Sequence, residues 1–383
     1  MGAGALARLA AYYFAYFAQA GAYVPYFSLY LEARGLAPEQ IALVVAMPQA
    51  ARLFAPTLWG WLGDALQTRY RGARRAIVVF SACAALCGFG ALQAIDGVAG
   101  FALVMLAVGA LSAGALPIVE AITLSALAGR SGDYGPVRLW GSVGFILAVL
   151  GGGAWLDRHG ATSVLGLIVA LSAALCVAAL AIPAPAHAAA PAEGKPLRAL
   201  LGRGDVRALL AAGICMAAAH GALYGFFSIL LAAEGYSKSL IGALWTLGVV
   251  AEIALFMRLP QLMRRFSLRA LLLASFALAV VRFLGIGCGA KFFLVLAAAQ
   301  LLHAATFGVF HAASIAAVHR LFASRAEARG QALYASLAYG VGGTAGTLLA
   351  GWTWTALGPA LSFGASALFA ALGGILIAWK VRV

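Results

Sequence analysis

The sequence predicts an all-α integral membrane protein, twelve transmembrane helices arranged as two six-helix halves. Three observations carry that prediction. Of 383 residues, 64% are apolar and 10% charged, a balance that leaves too little polar surface to cover a water-soluble fold. The polar residues gather in short groups between apolar runs of about 20 residues, the length that crosses about 30 Å of hydrocarbon as a helix. Finally, residues 18–35 (AQAGAYVPYFSLYLEARG) recur as 218–235 (AAHGALYGFFSILLAAEG), with Gly21/Gly221, Phe27/Phe227, Ser28/Ser228 and Gly35/Gly235 in register. An offset of 200 residues between first spans is simplest as a duplicated six-helix unit.

The spans follow in order. The first, 8–32, is crowded with aromatic residues, among them Tyr12, Tyr13, Tyr16, Tyr23, Tyr26 and Tyr30. Arg8, an apolar run and Ala18-Gln19-Ala20 imitate a signal peptide, but the repeat of this span is internal, so it is expected to stay in the fold. The spans 41–63, 74–95, 98–126, 135–156 and 161–183 complete the first half, 1–183. Residues 184–206, with Pro185, Pro191 and Pro196, read as an irregular tether. The second half, 207–383, contains 207–233, 239–260, 268–289, 292–316, 329–355 and 359–380. No room remains for a soluble domain.

Cytoplasmic loops retain the excess of lysine and arginine. Nineteen of these residues fall on the side of the termini and tether, against Arg34, Arg158, Lys238 and Lys291 on the other. Both termini are therefore expected in the cytoplasm, and the net charge of +14 is a product of topology. The basic residues form no continuous stripe, so no nucleic-acid partner is expected. The five cysteines lie in apolar runs without metal-ligand spacing and read as packing residues. No metal and no cofactor are expected.

Five charges lie inside the spans: Arg52, Glu120, Arg138, Glu252 and Arg282. Each is costly in hydrocarbon and should face the bundle interior and find a partner. Glu120 and Arg138, on neighbouring spans, point to ligand binding, because the arginine fork suits a carboxylate or adjacent hydroxyls and the glutamate steadies it between ligands. Glu252, Arg282 and His303 bring together residue types that can couple proton occupancy to conformation, with a static polar network as the alternative. Tyr23, Tyr26 and His220 are further candidates for the ligand site, though aromatic residues and lone histidines also serve packing. At the end of the second span, Asp64, followed by Arg74 and Arg75, suits a conformational gate. The pattern lacks HExxH, GxSxG and clustered cysteines, which argues against an intramembrane enzyme. A solute-binding receptor stays open.

The twelve spans, the repeat and Gly60-Trp61-Leu62-Gly63-Asp64 with its trailing arginines resemble the major facilitator superfamily and its loop signature, although Ala65 stands where that signature has arginine. Within it the chain is similar to the 3-phenylpropionate permease type, of the lactose permease-like and nucleoside permease-like proton symporters. That likeness is carried by DYGPVRLWGSVGF at 133–145, HGALYGFFSI at 220–229, GYSKSLIGALWTLGVVAEI at 235–253, VVRFLG at 280–285 and QLLHAATFGVFHAA at 300–313. The resemblance implies substrate binding at Glu120, Arg138 and position 145, and proton coupling at Glu252, Arg282, His303 and position 306. Two departures stand out: Thr306 replaces the acid of the sugar relatives, and Phe145 replaces their sugar-stacking tryptophan. The expectation is a monomeric inner-membrane secondary transporter whose partners are a small solute, protons and the bilayer. An aromatic carboxylate leads as substrate, a sugar or nucleoside is the alternative, and drug-type efflux is a third reading because direction is not fixed.

Overall fold

The structure is a computed structural model that describes residues 3–70, 72–127, 134–183, 201–322 and 327–382. Among them there is no strand. Twelve helical segments run in chain order: α1 (Ala3–Ala33), α2 (Pro38–Ala51 and Ala55–Arg69), α3 (Ala73–Ala91), α4 (Val98–Leu127), α5 (Tyr134–His159), α6 (Ala161–Ala181), α7 (Gly204–Ala233), α8 (Lys238–Arg265), α9 (Leu268–Gly289), α10 (Phe293–Leu321), α11 (327–357) and α12 (Pro359–Lys380). Ten of the twelve are long and apolar enough to cross a membrane by that measure alone. The other two are α1, diluted by its tyrosines, and α11, whose first turns carry Glu327, Arg329 and Gln331.

The expected limits shift in two informative places. The span expected to run unbroken over 41–63 is interrupted at residues 52–54. Helix resumes with Pro56 near the start of its second part, where its missing N–H costs nothing. The span expected to end at 260 runs on to Arg265, with Pro260 accommodated inside the helix. The turn after the repeated span is the same in both copies. α1 and α7 end at Ala33 and Ala233, and Gly35 and Gly235 follow with φ of +81° and +85°, a left-handed conformation that only glycine adopts without strain.

Contacts gather the chain into two units. Unit 1 comprises residues 1–35, 54–191 and 237–242; unit 2 comprises 36–53, 192–236 and 243–383. In unit 1, α1 lies along α5 and α6. Leu9, Tyr12 and Tyr13 pack there with Ile77, Val78, Val119, Ile122 and Leu175 in a single apolar core. The first turn of α8 belongs to this unit too. The Asp157 carboxylate at the end of α5 accepts from the Lys238 and Ser239 backbone N–H groups at 2.7 and 2.9 Å and from the Ser239 hydroxyl, capping otherwise unpaired helix-start donors.

In unit 2, α7 is buried on almost every side, between α11 and α12, while α9 packs on α12 and residues 38–51 pack on the second part of α11. Without a hydrophobic driving force between helices in lipid, such contacts depend on close approach over small residues. The repeated glycine is that contact in each unit. A Cβ at Gly21 would lie 2.6 Å from the Phe145 carbonyl oxygen of α5, and one at Gly221 would overlap the Gly346 backbone of α11.

Gly221→Ala should therefore cost about 1–3 kcal/mol through overpacking, read as a lower unfolding midpoint of the purified protein in detergent. Gly225→Ala, whose Cβ would meet only Thr347 Cγ2 at 3.8 Å, should leave the midpoint level or raise it. Equal midpoints for the two variants would contradict this packing.

Candidate functional site

Unit 2 contains a cavity of about 520 Å³ when its open mouth is included. His220 and Tyr224 of α7, Thr306, Phe307 and His311 of α10, and Tyr339 of α11 line it. Helical regularity fails in all three helices at this level. α7 breaks at His220, where φ −82° and ψ −4° join two helical pieces. α10 winds as a π-helix over Ala304–Val309, and α11 does so over Ser336–Gly342. An inserted π turn re-aims the side chains beyond it, and irregular backbone is tolerated at membrane depth only where protein or a cavity surrounds it.

Behind the cavity wall lies Arg282 of α9, only 1% exposed. Its Nη1 donates to Thr306 Oγ1 at 2.9 Å and to His220 Nε2 at 3.4 Å, its Nη2 to Gln300 Oε1 at 3.3 Å, and its guanidinium faces the Phe283 ring. All these partners are neutral. No carboxylate stands within 4 Å of Arg282 among the described residues. The Nε of Arg282 and the Nε2 of Gln300 are buried and find no acceptor among the described residues. Thr306 and His220 touch both the guanidinium and the cavity, so they connect the charge to the space.

Glu252 and His303 form the neighbouring pair, with Oε2 and Nε2 3.7 Å apart, longer than a hydrogen bond. His303, Phe307 and His311 stack successively along α10 at centroid separations of 5.2 and 6.4 Å. His311 Nδ1 meets the Tyr339 hydroxyl at 3.0 Å. Arg52 lies over the Tyr339 ring at 5.9 Å within the same unit.

Unit 1 presents the other candidates differently. Arg138 lies 3.9 Å over the Phe17 ring and 5.6 Å from that of Tyr13, while Glu120 faces the Tyr134 hydroxyl at 3.5 Å. The expected direct Glu120–Arg138 pair is thus not formed within 4 Å; aromatic faces satisfy the guanidinium instead. Tyr26 is fully buried and donates to the Val149 carbonyl at 2.7 Å, which makes it a tie between α1 and α5. Tyr23 packs against Phe27 and Phe89. Phe145 is half-buried, and its own backbone is the surface on which Gly21 rests. In the expected gate, Arg75 donates to the Leu180 carbonyl and Arg74 is partly buried. The Asp64 side chain lies outside the described residues, as do Asp133 and residues 184–200 of the tether.

Sequence reasoning passed over Gln300, Gln49, Tyr339 and Trp245. Gln300 and Gln49 are neutral and drew no notice in a census of charges, although a buried amide in hydrocarbon carries the same demand for partners. Trp245 stacks on Tyr224 at 6.1 Å and donates to Ser228 at 3.0 Å. It lay within a quoted motif, but nothing in the spacing singled it out.

With this geometry in place, likeness to known proteins can be weighed. Residues 6–365 match the MFS_1 like family. The "Probable 3-phenylpropionic acid transporter" of Escherichia coli (strain K12) is 32% identical over 358 residues, 91% of this chain and 91% of that protein. The "Maltose permease" of Geobacillus stearothermophilus is 27% identical over 347 residues, 89% and 86% of the two chains. Among solved structures, a mutant form of the nucleoside transporter NupG shares the fold with a TM-score of 0.83 at 17% identity, covering 97% of this chain and 98% of that one. The chain belongs to the MFS_1 like family, and is a multi-pass membrane protein of the major facilitator superfamily: a secondary transporter of small molecules, not an enzyme.

Proposed function

We propose that this transporter carries a small aromatic carboxylate, of which 3-phenylpropionate is the type, together with protons across the inner (cytoplasmic) membrane by alternating access. The observation that carries the reading is Arg282, a buried guanidinium with neutral partners beside a cavity that Tyr224, Phe307, Phe310 and Tyr339 help to line. Burying a cation costs several kcal/mol unless an anion compensates it, and a carboxylate on the ligand would supply that anion. Phe307 and Tyr224 offer flat faces for its ring. The printed name of the Escherichia coli relative supports the same class.

Arg138 on Phe17 is a second basic anchor, and Glu120, Phe145 and Tyr23 are further candidates in the chain's first half. Glu252 and His303 are candidates for proton coupling, since a proton on the imidazole would tighten their 3.7 Å contact into a charged hydrogen bond. Asp64, Arg74 and Arg75 are proposed as the gate. A neutral sugar is the second reading, favoured by the maltose permease relative. Against it, Phe145 has no polar edge for hydroxyl groups.

Reconstituted protein should accumulate radiolabelled 3-phenylpropionate in liposomes under an imposed inward proton gradient and lose that accumulation on addition of a protonophore. Vesicles that remain inactive toward this acid but accumulate maltose would replace the reading with the second one. Arg282→Lys removes the fork that spans Thr306 and Gln300, and should weaken binding of 3-phenylpropionate by about ten-fold or more, measured by calorimetry. Arg138→Lys loses the stack on Phe17 and should weaken it less; a reversed order would move the carboxylate to Arg138.

A further inference from the structure

We propose that His220 is the seat of the transported proton, and that it is protonated only when a ligand carboxylate shares Arg282; this rests on the aromatic-carboxylate reading. The geometry fixes the tautomer of His220. His220 Nδ1 is 2.9 Å from the Met216 carbonyl oxygen, which can only accept, so Nδ1 carries the hydrogen. The Nε2 lone pair is then the acceptor for Arg282 Nη1 at 3.4 Å. A proton on Nε2 would abolish that bond and set two cations side by side in a low dielectric. With these contacts the imidazole is neutral and held by the arginine.

A carboxylate in the cavity reverses this balance. It accepts from Arg282, which no longer needs the imidazole, and its negative charge favours imidazolium at the same place. The step is a simple protonation. Hydronium from bulk solvent gives up the proton at the cavity mouth and leaves as water, an N–H bond forms at Nε2 with the lone pair that had faced Arg282, and Nδ1–H stays on the Met216 carbonyl. One negative and one positive charge enter together, so the site has the same net charge empty and loaded. Anion and proton each raise the affinity for the other, as linkage requires. Thr306 has no titratable proton to offer the site, and His220 stands across the same guanidinium, since Arg282 Nη1 touches both side chains.

The surroundings fit this role. His220 sits at the break in α7, lines the cavity and is 4% exposed. The titratable or charged groups facing it are Tyr224 on its own helix, Arg282 from α9, His303 and His311 from α10, and Tyr334 and Tyr339 from α11. The acid of the region, Glu252 of α8, stands beyond His303. No carboxylate among the described residues contacts His220 itself, so the ligand's own carboxylate is the anion that stabilises its charged form.

The test is proton uptake on binding. Purified full-length protein in weakly buffered detergent solution at neutral pH is titrated with 3-phenylpropionate, benzoate and cinnamate, with a pH indicator present. The expected result is about one proton taken up per ligand bound by the unaltered protein, and none by His220→Gln, which should bind about ten-fold more weakly. In parallel, 15N NMR of the histidine-labelled unaltered protein should show one imidazole changing from the Nδ1–H neutral form to imidazolium on ligand addition. Should His220→Gln fail to fold, the same spectrum of His303→Gln keeps the test open: the new imidazolium signal is expected to persist there, and its loss would overturn the assignment. Proton uptake retained in His220→Gln, or lost instead in Glu252→Gln, would overturn the assignment and leave the aromatic-anion reading standing, as would an NMR spectrum with no new imidazolium. Failure of all three acids to bind the folded protein would overturn both.

Discussion

A guanidinium buried in hydrocarbon without a carboxylate beside it sets the terms for the second unit. Arg282 cannot be removed from water cheaply, and its neighbours reflect that: a hydroxyl, an amide oxygen, an imidazole lone pair and an aromatic face, each a partial answer to a full charge. Such a site is unsaturated by construction. It is held well enough to fold, yet it keeps a demand for an anion. Thr306 is decisive, since an acid there would satisfy the arginine permanently, whereas a threonine leaves the charge available to a ligand.

The irregular backbone gathers at the same level. The break at His220 and the π turns at Ala304–Val309 and Ser336–Gly342 lie on three helices that meet at one cavity. Each frees backbone groups that a lipid-facing helix could not leave unpaired. They are supported by rigid contact elsewhere, above all the glycine approach of α7 to α11. The same device at Gly21 joins α1 to α5, so the two copies of the repeated span share this packing while their polar content differs.

Much of this was legible in the sequence, because the bilayer imposes a length and a polarity that can be read without neighbours. Span limits at 268–289 and 359–380 match the helices residue for residue, and the repeat anticipated the paired turns at Gly35 and Gly235. The charges within spans pointed to Arg282. What was not legible depends on packing. Hydropathy cannot register a helix that breaks at residues 52–54 or at His220, since it averages over a span and a turn weighs the same as a helix. It cannot show that Arg138 prefers Phe17 to Glu120, because both lie on other helices and only the side-chain geometry chooses. Gln300 escaped because it is uncharged, and Tyr26 looked like a ligand contact because its carbonyl partner, Val149, is 123 residues away.

The central claim is that the unsatisfied charge of Arg282 selects an anion. The most direct measurement compares binding of 3-phenylpropionate with that of its neutral analogue 3-phenylpropionamide to the purified protein, at equal pH and ionic strength. The two share ring, chain and shape and differ in charge. The account predicts that the carboxylate binds tighter by about ten-fold or more, the worth of a charged hydrogen bond over a neutral one. Equal affinity, or preference for the amide, would contradict it.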